Sequence, residues 1–444
     1  MIRKKFGIFM LFIGSAVMLY ASESRLDFSP KPTEQQLPKA MRSTMTDLPK
    51  ITVGQSNADI IGKDNRALQA AVDAAAGLGG GLVEIGEGVY EMHDSLHLRS
   101  HVTVRGKREK TILRKANGVS SPLAIDGDYG EEQITVTNPA GFEVGYGVAV
   151  WDANAGGFYA TVARITGRNG NICSIDKPLN ADCMVGNKAL AATVFPVVSG
   201  CFIEDARVED LTVDGNKDNN IQLNGCRGAG IYLYRAFGTV IQGCVARNYN
   251  GDGIGFQQSN DAVVVDCLSE GNTVLGFHPG SGSQRPAIRN CVARRNGSDG
   301  LFLCWRVRNG IFESNLLEEN GQYGISIGHK DSDNFFRRNT VRLNRQDGVF
   351  FRNEALGMAA HRNRLEDNLI ENNGVAGPAA GIRVRGETNG LIFRHNTIRD
   401  TRAENFQTQT VGICLEEKVG AVIVEDNTVS AKTQMEDQRK TKSE

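Results

Sequence analysis

From about Gly230 onward, short bursts of alternating apolar and polar residues recur along the chain: Ile254 and Phe256, Leu301 and Leu303, Ile325 and Ile327, Val349 and Phe351, Ile382 and Val384, Ile413 and Leu415. A period of two is that of a strand with one buried face. Each burst follows a glycine, and Gly230, Gly253, Gly276, Gly300, Gly324 and Gly348 are spaced by 23, 23, 24, 24 and 24 residues. A second apolar burst follows in each unit (Ala262 to Val265, Gly310 to Phe312, Asn334 to Phe336, Leu391 to Phe393), and a third runs through Thr340 and Val341 or Asn368 to Ile370. Asn-Gly pairs at Asn250, Asn296, Asn320 and Asn373 read as the turns between them.

A unit this short cannot bury its own apolar face, so repetition at a fixed period implies stacking. Three short strands per unit, all running the same way, predict a right-handed parallel β-helix. The leucine-rich repeat has a comparable period, but its fixed leucine framework is missing. A second column keeps the same beat: Cys244, Cys267, Cys291, Asn315 and Asn339, continued by Asn368, Asn396 and Asn427. An inward Asn at a coil corner bonds to backbone and to its copies above and below, and a small thiol packs at the same place, so neither column is read as a metal site. The spacing rises to 33 between Gly348 and Gly381 and 31 between Gly381 and Gly412, so loops leave the late coils, where solenoids tend to carry their binding face.

Ahead of the repeat the pattern changes. Residues 1–22 combine a basic cluster at Arg3 to Lys5, an apolar run from Phe6 to Tyr20 and small residues at Ala21 and Ser22, the layout of a signal peptide. That predicts export to a periplasmic or extracellular location without stable membrane association after cleavage; an uncleaved anchor is the alternative. Residues 23–50 lack periodicity and read as a disordered tether. In 51–129, Asp64 and Asn65 can cap a helix from Arg66 to Ala76 that shields the open end of the first coil. Residues 130–195 read as a small inserted β subdomain of antiparallel strands. The main coils fill 196–430, and 431–444 reads as a disordered tail. Formal charge is balanced, 50 basic against 51 acidic side chains, which gives no field for nucleic acid. Of the nine cysteines, Cys173 and Cys183 are the one pair placed for a disulfide, across a predicted hairpin.

The stretch DNRALQAAVDAAAGLGGGLVEIGEGVYEMHDSLHLRSHVTVRG, residues 64–106, and coils such as NGQYGISI, residues 320–327, resemble the pectate-lyase-like superfamily of right-handed β-helix proteins. The resemblance implies the fold and a carbohydrate-related activity. It does not separate lyases from hydrolases, epimerases or viral tail proteins.

If the first and third residues after each glycine point inward, the second and fourth form an outward column. It holds Tyr232, Tyr234, Gln257, His278, Ser326, Arg352, Arg383, Arg385 and Glu416. Beyond each strand comes a second column: Trp305 and Arg306, His329 and Lys330, Glu354, Glu387. Arg306, Lys330 and Glu354 are 24 apart, which predicts neighbouring rungs. Such a strip suits a polysaccharide. Tyr232, Tyr234 and Trp305 offer ring faces, while Gln257, Arg306, Arg383, Arg385 and Glu387 offer polar contacts. Pro279 is expected to interrupt its strand, and Asp252, Asp299 and Asp347 to cap turns. Asp331 and Asp333 are weak candidates for Ca2+, two carboxylates being few for that ion.

The leading expectation is a lyase cleaving a uronate-containing polysaccharide by β-elimination. Arg352, with Arg306 or Arg385, would neutralise the carboxylate, His329 or Lys330 would remove the C5 proton, and His278 would serve the leaving oxygen. A glycoside hydrolase would use Glu354 with Asp331 or Glu387. An epimerase would share the lyase residues, and a non-catalytic rod would only bind glycan.

Overall fold

A computed structural model describes residues 47–439; the expected signal peptide and nearly all of the expected tether lie outside them. Helix α1 (Asn65–Gly77) is where the pattern puts it, with Asp64 as N-cap accepting from the Arg66 N–H and Leu68, Ala71, Val72 and Ala75 buried. It lies against the first coils, and Asp73 on it pairs with Arg99 at 2.8 Å.

The rest of the rod is wound from parallel strands. Along one side, here called the front sheet, eleven strands stack from Leu96–His97 through Val198–Glu204, Ala229–Phe237 and Asp252–Gln257 to Thr433–Asp437. At the spacing of neighbouring strands this sheet runs about 48 Å. The other two sides follow the same winding: Val263–Val265 pairs with Ala287–Arg289, and Leu268–Glu270 with Val292–Arg294. The first and third residues after the repeat glycines are buried in one continuous core, which includes Ile254, Phe256, Leu301, Leu303, Ile325 and Ile327. Phe312 and Phe336 stack inside it at 4.8 Å.

The expected corner column is a hydrogen-bonded ladder. The amide of Asn315 donates to Asn339, Asn339 to Asn368, Asn368 to Asn396 and Asn396 to Asn427, at 2.8 to 3.0 Å. Cys291 and Cys267 continue it downward, Cys291 N donating to Asn315 at 2.9 Å and Cys267 N to the Cys291 sulfur at 3.5 Å. A second ladder of the same kind replaces the expected Asn-Gly turns. Asn272, Asn296, Asn320, Asn344 and Asn373 bond in series and end on Gln409. Asn296, Asn320 and Asn373 are therefore buried rungs, because an inward amide satisfies backbone groups that a tight corner strands away from water.

Three boundaries and one bond differ from expectation. The inserted sheet begins at Ser120, not near 130: Ser120–Pro122, Leu190–Ala192, Gly147–Trp151, Thr161–Asn169, Ile172–Ile175 and Gln133–Thr135 lie side by side, all antiparallel. Lys50, at the end of the expected tether, already begins the strand Lys50–Gly54. Residues 433–437 of the expected tail form the last front strand, paired with Val411–Leu415, since an open sheet edge recruits whatever backbone follows. Cys173 and Cys183 are separate buried thiols: Cys173 pairs across to Ile134 and Arg168, whereas Cys183 bridges to Gly127, so no hairpin joins them.

Candidate functional site

Outward side chains of the front sheet form two columns, as the alternation requires. One runs His97, Ser199, Tyr232, Gly255, His278, Phe302, Ser326, Phe350, Arg383 and Cys414, in the order set by the strand register. What covers the columns differs sharply along the rod.

Over the early coils the face is roofed. Asn224 to Gly228 form a strap across it: the Gln257 amide donates to the Gly225 carbonyl at 3.4 Å, the Tyr232 hydroxyl to the Cys226 carbonyl at 2.6 Å, and Arg227 Nε to the Phe158 carbonyl of the inserted domain at 2.8 Å. The strap fits because position 225 has no side chain; a Cβ there would lie 1.8 Å from Asp252 Oδ2 and 2.8 Å from His278 Nδ1. Tyr232, Gln257 and His278 are consequently buried, and none offers a surface to a sugar. His278 Nδ1 meets Asp252 Oδ2 at 2.7 Å, and its ring packs edge-on to Phe302. Tyr234 remains half-exposed between the Arg227 and Arg235 guanidinium groups, at 5.5 and 5.4 Å.

Asp252, Asp299 and Asp347 do cap, each accepting a backbone N–H from the following coil: Leu275, Tyr323 and Ala380. Two of them also hold outward side chains of the face, which the sequence reading missed. Asp252 holds His278, and Asp347 holds Arg383 at 2.9 Å. Asp299, 3 % exposed, is in no ion pair among the described residues, and burial raises its carboxyl to about 6 against the opposing pull of the Tyr323 N–H and Arg352. Recurrence of Asp just before the repeat glycine was the visible signal.

Pro279 does not break its strand. Phe277–Gly280 pairs in register with Ile254–Gln257, with Pro279 opposite Phe256.

The open part of the face lies around Trp305 and His329. These residues sit in a corner column of left-handed backbone, with Phe202, Arg235, Gln258, Ser281, Trp305 and His329 at φ between 36° and 68°, which swings their side chains off the sheet edge. Trp305 is 43 % exposed, and its ring stacks on His329 at 5.2 Å. His329 Nε2 meets Glu354 Oε1 at 2.9 Å. Burial, with the nearby Arg352, lowers the imidazole's proton affinity against the opposing effect of Glu354, which favours the neutral ring. Arg306 and Lys330 flank the stack, and neither belongs to an ion pair among the described residues. The expected rung order needs one amendment: Lys330 N donates to Met358 O, because the extra residues of that coil leave between Glu354 and Met358, while Glu354 O accepts from Glu387 N.

Beneath the stack, Arg352 lies flat across Gly328, where a Cβ would stand 2.5 Å from its Nε. It donates to Ser326 Oγ, the Leu303 carbonyl and Asp331 Oδ2, and covers the Phe302 ring at 4.5 Å. With a side chain only 13 % exposed, Arg352 sets the local field instead of gripping ligand as expected. Asp331 is fully buried, and burial raises it to about 7 despite Arg352 and the Val307 and Gly328 N–H groups.

Other expected ligands are otherwise engaged. Arg385 pairs with Glu416 at 2.9 Å, and Glu387 accepts from Leu356 N, pinning the 355–358 loop. Asp333 is held by Arg362 at 2.6 Å, so Asp331 and Asp333 face different cations and make no Ca2+ cage. Among the described residues no cluster of His, Cys, Asp and Glu has the make-up of a metal site. Of the expected hydrolase pairs, Asp331 is buried and Glu387 accepts from the Leu356 N–H.

The family model described as right handed beta helix region matches residues 192–350 and 304–434, more than half of the sequence. This chain belongs to that family. Among solved structures, the A-module of a mannuronan C-5 epimerase from Azotobacter vinelandii aligns at TM-score 0.58 and 16% identity, covering 88% of this chain and 98% of that one. PfbA, a surface adhesin of Streptococcus pneumoniae, aligns at 0.53 and 14% over 87% and 92%. A glycoside hydrolase aligns at 0.53 and 11% over 85% and 96%. At such identities the likeness is one of fold.

Proposed function

We propose that this right-handed β-helix protein is exported, binds an acidic, uronate-containing polysaccharide along its front face, and abstracts the proton next to the uronate carboxyl. The observation that supports this best is the grouping of an exposed ring, an imidazole hydrogen-bonded to a carboxylate, and two cations outside any ion pair among the described residues, all at one open corner. Trp305 stacks a sugar ring. Arg306 and Lys330 neutralise the sugar carboxylate and so acidify its C5 proton. The His329–Glu354 pair takes up that proton at the Glu354 carboxylate, since His329 Nε2 is engaged by Glu354 and its Nδ1 is buried. Arg352, fixed beneath, keeps the pair from acquiring that proton from solvent. Elimination of the 4-linked oxygen, which leaves with a proton from solvent, then gives an unsaturated product, whereas return of a proton from solvent to the other face gives the epimer. Both outcomes share the first step, and the similarity to an epimerase module fits that step equally well.

The test is carried out in D2O on pectin, alginate and glycosaminoglycan panels, reading C5 deuteration by NMR and unsaturated product by ultraviolet absorbance. Deuteration with one polymer, lost in His329→Ala and Glu354→Gln, is expected. Binding with neither deuteration nor unsaturated product on any polymer would leave a glycan-binding rod and remove the catalytic reading.

A further inference from the structure

The strip does not end at the roofed coils. Between the inserted domain and the first three front strands lies a cavity of about 460 Å³, within the usual range for small-ligand pockets. Its floor is the start of both outward columns, with Ser199, Cys201 and Tyr234, and its far wall comes from the inserted strands through Val162, Arg164 and Lys177. The register places Tyr234 three rungs from Cys304, next to Trp305, which is about 14 Å along the rod.

The cavity's chemistry is lopsided. Arg99, Arg164, Lys177 and Arg227 line it against one acid, Asp176. Arg99 is answered by Asp73, and Arg164 by Asp176 at 3.5 Å and Asp94 at 4.0 Å. Lys177 and Arg227 have no carboxylate partner among the described residues; Lys177 donates only to the Val162 carbonyl at 3.1 Å, and Arg227 to the Phe158 carbonyl. At the rim stands Phe202, 67 % exposed and edge-on to Tyr234 at 5.5 Å. It occupies the same left-handed corner column that displays Trp305 four rungs later. An exposed aromatic ring beside two unneutralised cations in a walled chamber is a site for a flat, negatively charged ring.

We infer that this chamber is a second saccharide subsite, taking an acidic sugar unit of the same glycan that lies at Trp305. The inference rests on the proposed function for its ligand class, but its residues take no part in proton abstraction. Lys177 and Arg227 pair with the unit's carboxylate, and Tyr234 and Phe202 pack its apolar face.

Calorimetric titration with galacturonate, mannuronate and glucuronate oligosaccharides of graded length tests it on the full chain. Neutral glucose oligomers serve as control, and Lys177→Met, Tyr234→Ala and Trp305→Ala are compared with the parent. Lys177→Met and Tyr234→Ala should each weaken the longer acidic oligomers about tenfold or more, with the Lys177→Met loss shrinking at high salt. Lys177 is exposed and outside the hydrophobic cores, so its variant folds. Unchanged affinity in both variants, or equal binding of neutral oligomers, overturns the subsite. If both C5 deuteration and unsaturated product are absent yet these variants still weaken binding, the catalytic reading falls and the subsite stands. If deuteration persists while both variants bind normally, the reverse holds. No binding by any acidic oligomer overturns both.

Discussion

Asp299→Asn should stabilise this protein in a pH-dependent way. Asp299 is buried and its raised carboxyl, at about 6 against an ordinary 3.8, means that folding must either dehydrate its charge or carry a proton. A group whose folded value is raised is harmless below its unfolded value, and its cost grows as pH rises toward the folded one. At pH 8 that cost is the difference of 2.2 in pKa multiplied by 1.36, or about 3 kcal/mol; at pH 4.5 the same relation gives about 1 kcal/mol. Asparagine keeps an oxygen for the Tyr323 N–H, the one backbone donor at 3.1 Å, and removes the ionisation. Urea unfolding followed by circular dichroism should therefore show Asp299→Asn gaining about 2 kcal/mol more over the parent at pH 8 than at pH 4.5. Equal gains at both pH values, or a loss at pH 8, would show that the carboxyl is solvated or paired and sink the reasoning. A stabilising result would also mark Asp299 as a residue kept at the expense of stability, as expected beside a working site.

Asn339→Ala removes four hydrogen bonds at once, to Asn315 N, Asn315 Nδ2, the Phe312 carbonyl and Asn368 Oδ1. At about 1 kcal/mol each it should cost about 4 kcal/mol in urea unfolding, and a cost near zero would refute the ladder. Gly328→Ala drives a methyl into Arg352 and should lower any C5 deuteration rate tenfold or more while secondary structure by circular dichroism is unchanged; an unaltered rate would free Arg352 from the site. His329→Ala and Glu354→Gln should each abolish deuteration without abolishing glycan binding, measured by NMR and calorimetry. Lys177→Met should weaken long acidic oligomers and leave deuteration of short ones intact.

Much of the fold could be read directly from spacing. Gly253, Ile254 and Phe256 recur with their copies because each rung must present the same inward volume to the next, and a core built along one axis tolerates no drift in register. The Asn315 column was readable for the same reason, whereas Asn296 and Asn320 were misread because Asn-Gly is equally the sequence of a tight turn. At the site, the pairing of Trp305 with His329 followed from their separation by one period, and so did their shared corner. The role of Asp252 did not, since a cap and a histidine partner use the same carboxylate.

What the amino-acid sequence determined by itself was periodicity: the number of residues per coil, the side chains that face inward, the capping helix and the outward columns. What the tertiary structure alone decided was cover and company. Gly225 and Arg227 come back over His278, and the inserted sheet closes on Tyr234; the Ala355–Met358 loop leaves Glu354 at His329. A repeat fixes which way a side chain points, because that depends on neighbours one coil away. Whether the side chain meets water, a charge or a roof depends on segments outside the repeat, whose positions no local period encodes.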